Sequence, residues 1–379
     1  MNTGVSSLRV KGFRRLRDTQ IDLHPFNVLI GTSGKTSVLE TLRLLAASAE
    51  GRLQETISAA SGAGSVITHG RDSLSVSVEM PIANLPPMLY DLQIQGDGHA
   101  YSICQENLRQ YLSGTGQEPT IYIDSRGRDI RYYENDKLQK PNWRHQPYET
   151  SLFQVPKIFQ AAERFRCALS SSTLYQVVDV SPRAPIRSPQ PLHPARTPGL
   201  DGENLVPCLY SLREGDRDRF DAIVDALAAA FPSFERLDVP PAAAGLLSLA
   251  WKDRHYKQPF SSHQLSKGTL RFLWLVTLLQ SPELPIVTMI DEPETSLPPE
   301  MLPILAELMR EAAVRTQLIV ATRSDRLVRF LQPKELVVCD SDDEGGARLT
   351  RGSDLDLERW LIDYRMDELW SLGRLGGRS

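Results

Sequence analysis

The N-terminal part of the chain changes from a strand pattern to a helix pattern at a glycine turn. The apolar run 26–30 ends in Gly31 and predicts a buried strand. The apolar positions that follow recur with the spacing of one helix face: Val38, Leu39, Leu42, Leu45 and Ala46. We therefore predict a helix entered through Thr36 and Ser37, directly after the turn.

The same alternation of strands and helices returns in the C-terminal third. Strands are predicted at 286–290 and 317–321, on either side of a helix at 301–313, and a further strand at 335–339. Strands that alternate with helices indicate a parallel sheet. An acidic turn is expected at 340–346. The remaining apolar residues predict helices that pack back onto the fold: Leu355, Leu357, Trp360, Leu361, Met366, Leu369 and Trp370.

The middle of the chain has a different pattern. Strict alternation at 74–80 predicts a half-exposed strand, and the segments 121–124 and 129–133 predict a hairpin, so we expect an antiparallel meander. Six prolines between Pro182 and Pro198 predict an irregular loop or linker. An amphipathic helix follows, marked by apolar residues at helical spacing: Phe220, Ile223, Val224, Leu227 and Phe231.

Composition excludes several classes of protein. The 379 residues are 41% hydrophobic and 24% charged, which indicates a globular protein and excludes disordered and collagen-like chains. The formal net charge of −4 provides no overall basic field, so contact with nucleic acid requires a local patch. Four separated cysteines without a CxxC pair favour a reducing compartment. With no secretory signal and apolar runs of half a membrane span, we expect a cytoplasmic protein without membrane contact.

The first motif with chemical potential lies between the first predicted strand and helix. Gly31-Thr-Ser-Gly34-Lys35-Thr36-Ser37 occupies the place of a phosphate-binding loop, in which backbone N–H groups, a lysine and a hydroxyl hold phosphates and Mg²⁺. The candidate contacts are Gly31, Ser33, Gly34, Lys35, Thr36 and Ser37. Only two residues separate the glycines, whereas the usual pattern has four. The alternative is a glycine-lysine turn with no role in nucleotide binding.

The second motif is an acidic pair at the end of the strand at 286–290. Asp291 is positioned to hold Mg²⁺ through water, and Glu292 to polarise a water that attacks a γ-phosphate. The alternative is an acidic turn that caps the helix beginning at Met301. Adjacent acids directly after this largely apolar five-residue strand favour the catalytic interpretation.

The third motif precedes the acidic pair by some 20 residues. Ser266, Lys267 and Gly268 open a predicted buried helix, whose N-terminus can hold a γ-phosphate presented by a second subunit. The alternative is an ordinary N-capped helix. The order and spacing relative to the acidic pair favour the phosphate interpretation.

Taken in order, these motifs resemble the ABC-type ATPases of the RecF/SMC/OLD group. The matching segments are the opening Leu8 to Leu16, the lysine loop, Leu-Ser-Lys-Gly-Thr, Asp-Glu-Pro-Glu-Thr-Ser-Leu, Val320 to Ser324 and the tail from Leu357 to Gly377. The resemblance implies an α/β P-loop NTPase fold: an ABC-type head with a mixed, largely parallel sheet, an antiparallel meander and a helical insertion. It also implies ATP and Mg²⁺ as ligands, with Thr36 and Asp291 on the metal. Two copies are then expected to close on ATP as a homodimer, Ser266 and Gly268 of each meeting the other's γ-phosphate.

The resemblance divides the chain into a discontinuous head, 1–50 with 250–379, and an insertion, 51–249. The meander is expected to reach about residue 135, with the helical and proline-rich segment after it. The insertion lacks the sustained heptads of SMC proteins, and we expect no Toprim nuclease domain of the OLD type in this chain. Arg323 stands where the family often has a histidine or glutamine that senses the γ-phosphate.

Two hypotheses about function remain open at this point. The first is a cytoplasmic ATPase that dimerises on ATP and acts in DNA repair or anti-phage defence. The second is a nucleotide-binding or scaffold subunit, catalytically impaired by the shortened loop, that regulates a partner nuclease or toxin. DNA is a further expected partner through two basic clusters: Lys11, Arg14, Arg15 and Arg17, and Arg126, Arg128 and Arg131 beside Tyr132 and Tyr133.

Overall fold

The fold was analysed in a computed structural model. It describes residues 4–82, 85–111, 118–127, 129–134, 137–141, 143–343, 345–355 and 365–373. The strands are β1 Ser7–Phe13, β2 Leu16–Asp22, β3 Phe26–Gly31, β4 Ser73–Met80, β5 Met88–Asp97, β6 Ala100–Gln110, β7 Thr120–Arg126, β8 Asp129–Glu134, β9 Lys137–Gln139, β10 Ser172–Tyr175, β11 Gln190–Pro191, β12 Phe234–Asp238, β13 Leu246–Leu247, β14 Ala250–Asp253, β15 Phe260–Ser261, β16 Val287–Asp291, β17 Gln317–Ala321, β18 Leu336–Ser341 and β19 Ala347–Arg351.

The described helices are on average longer than the strands. They are α1 Lys35–Glu50, α2 Leu53–Ala59, α3 Ala63–Val66, α4 Gln160–Ser170, α5 Leu205–Gly215, α6 Arg217–Ala230, α7 Lys267–Gln280, α8 Leu302–Ala312, α9 Asp325–Val328 and α10 Met366–Ser371. Three-residue 3₁₀ turns occur at Pro185–Arg187, Ala243–Gly245, Ser262–Gln264, Pro299–Met301, Pro333–Glu335 and Gly352–Asp354. Among the described residues, none of the helices combines the length and the apolar character that a membrane-spanning segment requires.

The central sheet has the strand order β10-β16-β17-β3-β18-β19. The first five strands are parallel, and β19 closes the sheet as an antiparallel edge. Alternate residues of each strand enter different cores, because side chains point to opposite faces. In β3, for example, Leu29 packs in the core that contains α1, whereas Val28 and Ile30 pack in the core that contains α7 and α8. The predicted mixed, largely parallel sheet is confirmed.

A second, antiparallel sheet has the strand order β2-β1-β4-β5-β6-β7-β8-β9. The predicted half-exposed strand is confirmed as β4, whose residues alternate between buried and half-buried positions, and the predicted hairpin is β7 with β8. The meander thus includes β1 and β2 from the N-terminus, and β9 extends it to Gln139.

The proposed division into a head (1–50 with 250–379) and an insertion (51–249) stays a prediction. Among the described residues, three strand pairings cross it: β1 of the head pairs with β4 of the insertion, β10 of the insertion pairs in parallel with β16 of the head, and β12 of the insertion pairs with β14 of the head. The prolines of 182–198 leave only a 3₁₀ turn and the two-residue β11 in that segment, as the sequence predicts.

Two boundaries differ from the predicted ones near the C-terminus. The acidic turn is shorter than 340–346, because β18 continues to Ser341 and the hairpin closes through a hydrogen bond from the Asp342 amide to the Gly346 carbonyl (2.8 Å). Helix α8 begins at Leu302, after the 3₁₀ turn that follows Pro298. Met366, Leu369 and Trp370 are buried in or beside α10, whereas the predicted helical positions Leu357, Trp360 and Leu361 lie outside the described residues.

Candidate functional site

The carboxyl ends of three adjacent parallel strands bring the candidate residues of the first two motifs together. The loop after β3 carries Lys35, the end of β16 carries Asp291 and Glu292, and Arg323 follows β17, which lies between them. Ligands of open parallel sheets bind at this edge. The charges of Asp291, Glu292 and Arg323 all act on the pKa of Lys35, which indicates that the four side chains lie near one another.

The glycine loop is short and lies against the neighbouring strand β18. Only Thr32, Ser33 and Gly34 connect β3 to α1. The backbone N–H groups of Thr32 and Ser33 both donate to the Cys339 carbonyl, at 3.0 and 3.3 Å. Gly31 has φ 105°, and a Cβ there would lie 2.3 Å from the same carbonyl oxygen. Two amides that a longer loop could offer to a phosphate are therefore occupied in this structure.

The N-terminus of α1 provides the anion-binding feature that remains. Gly34 caps it with φ 94°, no side chain caps the helix, and its first turn carries no acidic residue. The uncapped N–H groups and the dipole of this 16-residue helix favour an anion. Thr36 is exposed in the first turn and Ser37 is buried. Ser33 accepts a hydrogen bond from the Arg15 guanidinium at 3.4 Å, a contact the sequence did not reveal.

Lys35 is held inside the loop. Its side chain is buried, and its ammonium donates to the Gly31 carbonyl, which closes the turn. Burial lowers the pKa of Lys35, and Arg323 lowers it further, while Asp291 and Glu292 oppose the shift. The amine therefore lies beside the acidic pair, shielded from solvent.

The acidic pair combines burial with backbone strain. Burial, together with the neighbouring Glu292 charge, raises the pKa of Asp291. Glu292 has φ 49°, which is unfavourable for a non-glycine residue, and its amide donates to the Ala321 carbonyl at 2.8 Å. Its Oε1 lies 2.8 Å from Nε of Arg323. Arg323, expected as a phosphate sensor, is thus the ion-pair partner of the expected catalytic carboxylate.

Glu294 belongs to the same edge, although the sequence analysis assigned it no role. Its Oε1 accepts hydrogen bonds from the Thr322 hydroxyl (2.6 Å) and the Arg323 amide (3.1 Å). Its buried Oε2 has no partner among the described residues, and burial raises the pKa of Glu294. Glu294 therefore connects the end of β16 to the end of β17. The Glu-Pro-Glu spacing was visible in the sequence, but the partner strand was not.

The raised pKa of Glu294 leads us to predict how the stability of the folded protein depends on pH. Between the pKa values of the unfolded and folded states, the folded protein binds more protons, so wild-type stability falls as pH rises through that window. Glu294→Gln removes the penalised charge, and we expect it to raise the unfolding temperature at pH 8 more than at pH 4. Thermal melts at both pH values measure this. The exposed Glu300→Gln should shift neither melt, and a pH-independent effect of Glu294→Gln would contradict the prediction.

The third motif lies on another surface of the same region. Ser266 caps α7 by accepting from the Thr269 amide at 3.1 Å, and Lys267 is exposed. A Cβ on Gly268 would lie 2.8 Å from the Ser296 carbonyl oxygen. Within the described ranges, no hydrogen bond joins residues 266–268 to the glycine loop. The motif therefore contacts the segment after the acidic pair and does not complete the Lys35 site within one chain.

A small pocket beside the carboxylates contains residues that sequence reasoning missed. Its polar lining consists of Gln176, Arg271, Asp291, Glu292 and Thr295. Gln176 comes directly after β10, which pairs with β16 although more than 100 residues separate them along the chain. No local pattern in the sequence indicates that pairing.

The residues present fit a magnesium nucleotide in part. The Thr36 hydroxyl and the Asp291 carboxylate are oxygen ligands of the type that Mg²⁺ prefers, and the uncapped α1 terminus with Lys35 suits terminal phosphates. The loop amides do not fit, since Thr32 and Ser33 bind Cys339. Neither at this edge nor elsewhere in the described part of the chain does a group of three or more His, Cys, Asp or Glu residues form a metal site by itself.

Each of the two basic clusters contains two residues that are paired with acids. Lys11 Nζ lies 3.1 Å from Asp18 Oδ2, and Arg14 Nη1 lies 2.6 Å from Glu40 Oε2. In the second cluster, Arg126 pairs with Asp124 and Arg131 with Asp129, while Arg128 lies outside the described residues. Of the two adjacent tyrosines, Tyr132 is fully buried and Tyr133 is half-buried. DNA binding at these clusters stays a prediction.

Comparison with solved structures shows the fold. The SMC head bound to the C-winged helix domain of ScpA is 13% identical with TM-score 0.56, covering 94% of this chain and 99% of that chain. An SMC head with an extended coiled coil from Pyrococcus furiosus, bound to the C-terminal domain of ScpA, is 12% identical (TM-score 0.55), and one from Pyrococcus yayanosii, with a coiled coil and joint, is 11% identical (TM-score 0.54). Each covers 94% of this chain and 98% of its own. The predicted SMC-like, ABC-type head fold is confirmed.

Comparison with protein families gives the assignment of the chain. No curated protein matches the sequence. A family model described as "AAA domain, putative AbiEii toxin, Type IV TA system" matches residues 26–329, well over half of the chain. The match includes the lysine loop, the Ser266 motif, the acidic pair and Arg323. The chain therefore belongs to this family of AAA-domain ATPases.

Proposed function

We propose that this AAA-family head binds ATP with Mg²⁺ at the carboxyl edge of its parallel sheet and hydrolyses it. The observation that carries the proposal is the convergence of Lys35, Asp291, Glu292 and Arg323 at the uncapped N-terminus of α1. A lysine, two adjacent carboxylates and a helix N-terminus are the groups that phosphoryl transfer requires. Bound Mg²⁺ would supply charge neutralisation on the phosphates.

In this proposal each residue of the candidate site has one role. Lys35 leaves the Gly31 carbonyl to bind the terminal phosphates, while Gly31, Ser33, Gly34 and Ser37 shape the loop around it. Thr36 would offer its hydroxyl to the metal, and Asp291 would hold the metal through water. Glu292 Oε accepts the proton of the attacking water.

Glu292 Oε1 is free to accept that proton only when Arg323 releases it. The Arg323 side chain is 74% exposed and that of Glu292 is 36% exposed, so the pair is an exposed ion pair. Such pairs contribute about 0–1 kcal/mol, which makes release inexpensive. Arg323 then has a guanidinium available for the γ-phosphate.

The position of the third motif supports a homodimer. Ser266, Lys267 and Gly268 lie at the exposed N-terminus of α7, in contact with Ser296 and without a hydrogen bond to the Lys35 loop in the described residues. A second copy that brings these residues to the phosphate would complete the site. Two ATP molecules would then lie between the two heads, each held by Lys35 of one copy and Ser266 of the other.

A second candidate function is a scaffold subunit without nucleotide affinity. One observation favours it. The Thr32 and Ser33 amides donate to the Cys339 carbonyl, and the Lys35 ammonium donates to the Gly31 carbonyl. These polar groups of the loop therefore have hydrogen-bond partners in the absence of a phosphate. In that case the chain regulates a partner effector, such as a nuclease or toxin, through its fold alone.

For the biological role we propose DNA repair or anti-phage defence, with a partner effector protein. The family description, which names a putative toxin of a type IV toxin–antitoxin system, supports the defence alternative. Paired charges at the basic clusters give DNA binding less support, because ion-paired arginines have to exchange partners before they bind a phosphate.

Phosphate release from purified protein, with and without Mg²⁺, tests the proposed enzyme. We expect Mg²⁺-dependent turnover that Asp291→Asn lowers by about 10- to 100-fold, because Asp291 holds the metal from its outer shell. Asp221→Asn, which breaks a surface pair with Arg217 on α6, should leave turnover unchanged. Absence of Mg²⁺-dependent release from the wild-type chain would contradict the enzyme and favour the scaffold.

A further inference from the structure

The proline-rich segment 182–198 is bound to the Ser266 motif, although the proposed function gives it no task. Its connection begins at the 3₁₀ turn Pro185–Arg187, which lies against the 3₁₀ turn Ser262–Gln264. The second of these turns ends one residue before Leu265 and two before Ser266. The irregular segment and the start of α7 therefore meet directly.

Arg187 makes this connection with a buried guanidinium. Its Nε donates to the Val180 carbonyl at 2.8 Å. Its Nη1 lies within hydrogen-bond distance of three carbonyls, those of Ser262 (3.2 Å), His263 (3.1 Å) and Leu265 (3.1 Å). The side chain is 8% exposed and forms no salt bridge in the described part of the chain. Backbone carbonyls thus replace water around this cation.

The contact is reciprocal. The Ser262 hydroxyl donates to the Arg187 carbonyl at 2.6 Å. Ser262 is itself buried, so neither partner can exchange this bond for water without a local opening. Hydrogen bonds to the Ser262 side chain and to the backbone carbonyls of the turn consequently fix the turn that leads into Ser266.

A second arginine extends the connection towards the acidic pair. Arg271, on α7, donates through Nε to the Val178 carbonyl (3.4 Å) and through Nη1 to the Ser296 hydroxyl (2.5 Å). On the same helix, the Trp274 indole donates to the Gly199 carbonyl at 3.0 Å. The chain on both sides of the proline-rich segment is therefore attached to the helix that begins with the motif.

We propose that Arg187 is a positioning residue that holds Ser266, Lys267 and Gly268 in the arrangement needed to meet the phosphate bound by a second copy. The inference rests on the proposed ATP-dependent dimer. Within the described residues, the hydrogen bonds of Arg187 reach neither the Lys35 loop nor the carboxylates, so it acts through the carbonyl of Leu265 and the turn before Ser266. The proline-rich segment then holds the Ser266 motif in place. That motif is the part of the composite ATP site that a second copy contributes.

Arg187→Lys is the informative variant. Lysine keeps the charge and most of the length, but its single ammonium cannot reproduce a planar fork that reaches Val180 on one side and residues 262–265 on the other. Arg351→Lys is the matched control. Arg351 is equally buried and also donates to backbone carbonyls, those of Asp22 and Lys334, at a site remote in sequence from the motif.

The first readout is hydrogen exchange in the nucleotide-free full chain. Loss of charge-assisted hydrogen bonds should raise exchange of the amides in 262–270 by about 10-fold or more in Arg187→Lys, without a comparable rise in the antiparallel sheet. Arg351→Lys should leave exchange of 262–270 unchanged. Wild-type exchange in Arg187→Lys, or an equal rise in the control, would overturn the inference. This readout does not depend on ATP hydrolysis, so it separates the inference from the proposed function.

The second readout is complementation of ATP turnover. Arg187→Lys should lose most turnover alone, as should Lys35→Ala. In a mixed dimer, the Arg187→Lys copy contributes an intact Lys35 and the Lys35→Ala copy contributes an intact Ser266 motif to one composite site. Mixing the two variants should therefore restore turnover. If the wild type is active and the mixture stays inactive, the inference fails. If the wild type is inactive, the proposed function fails, while the exchange experiment still decides whether Arg187 holds the motif.

Discussion

Glu292→Gln is expected to lower the ATP turnover of this chain by about 100- to 10,000-fold, the range associated with removal of a general base. Glutamine keeps the size of the side chain but cannot accept the proton of the attacking water. It also loses the ion pair with Arg323, 2.8 Å away, and removes a negative charge from the place where phosphate binds. ATP should then persist in the site, and the variant should run as a dimer at saturating ATP in light scattering.

The control for this variant is the exposed Glu300→Gln, eight residues further along the chain. It should retain wild-type turnover and show no lasting dimer. Glu294→Gln provides a second comparison, because it lies on the same edge and affects a structural hydrogen bond to Thr322. Unchanged turnover in Glu292→Gln, together with a monomer at saturating ATP, would remove Glu292 from the catalytic role.

Lengthening the glycine loop is expected to increase affinity for ATP. In the wild type, three residues bridge β3 and α1, and the Thr32 and Ser33 amides are bound to the Cys339 carbonyl. Insertion of Gly-Ser after Thr32 adds chain and donors, so amides can turn towards a phosphate. One charge-assisted hydrogen bond contributes about 1.5–3 kcal/mol, which corresponds to an affinity gain of about 10-fold or more.

The same dipeptide inserted after Gly98, in the exposed turn between β5 and β6, is the control for an insertion as such. It should leave nucleotide affinity unchanged. Fluorescence titration with a labelled ATP analogue measures all three proteins. If the loop insertion leaves affinity at the wild-type value, loop length does not limit binding, and the occupied amides at Cys339 have no bearing on nucleotide affinity.

The elements whose pattern is local were predictable from the sequence. Strand β17 lies at the predicted residues 317–321, because the apolar run Leu-Ile-Val-Ala after Gln317 fits a strand buried on both faces. Helix α1 begins at Lys35, one residue before the predicted entry, since the glycine at position 34 ends the turn. The lysine loop and the acidic pair meet because parallel strands place their carboxyl ends at one edge of a sheet.

The features that the sequence did not reveal depend on long-range pairing. Strand β10 joins the central sheet from the middle of the chain. The sequence of its four residues does not indicate that it pairs with β16. The ion pair of Glu292 with Arg323 requires β17 to lie next to β16. Arg187 looked like one more polar residue in a proline-rich loop, although its guanidinium binds four carbonyls. Composition and periodicity contain no information on these partners.

Calorimetric titration of Mg²⁺-ATP into the nucleotide-free chain and into Lys35→Ala tests the central claim most directly. The claim is that a nucleotide binds where Lys35, Asp291 and Glu292 converge. We expect a micromolar dissociation constant for the wild type and a loss of about 10-fold or more in Lys35→Ala, since a buried, charge-assisted contact to phosphate disappears. A wild-type chain that releases no heat of binding, or an identical isotherm for Lys35→Ala, would contradict the account.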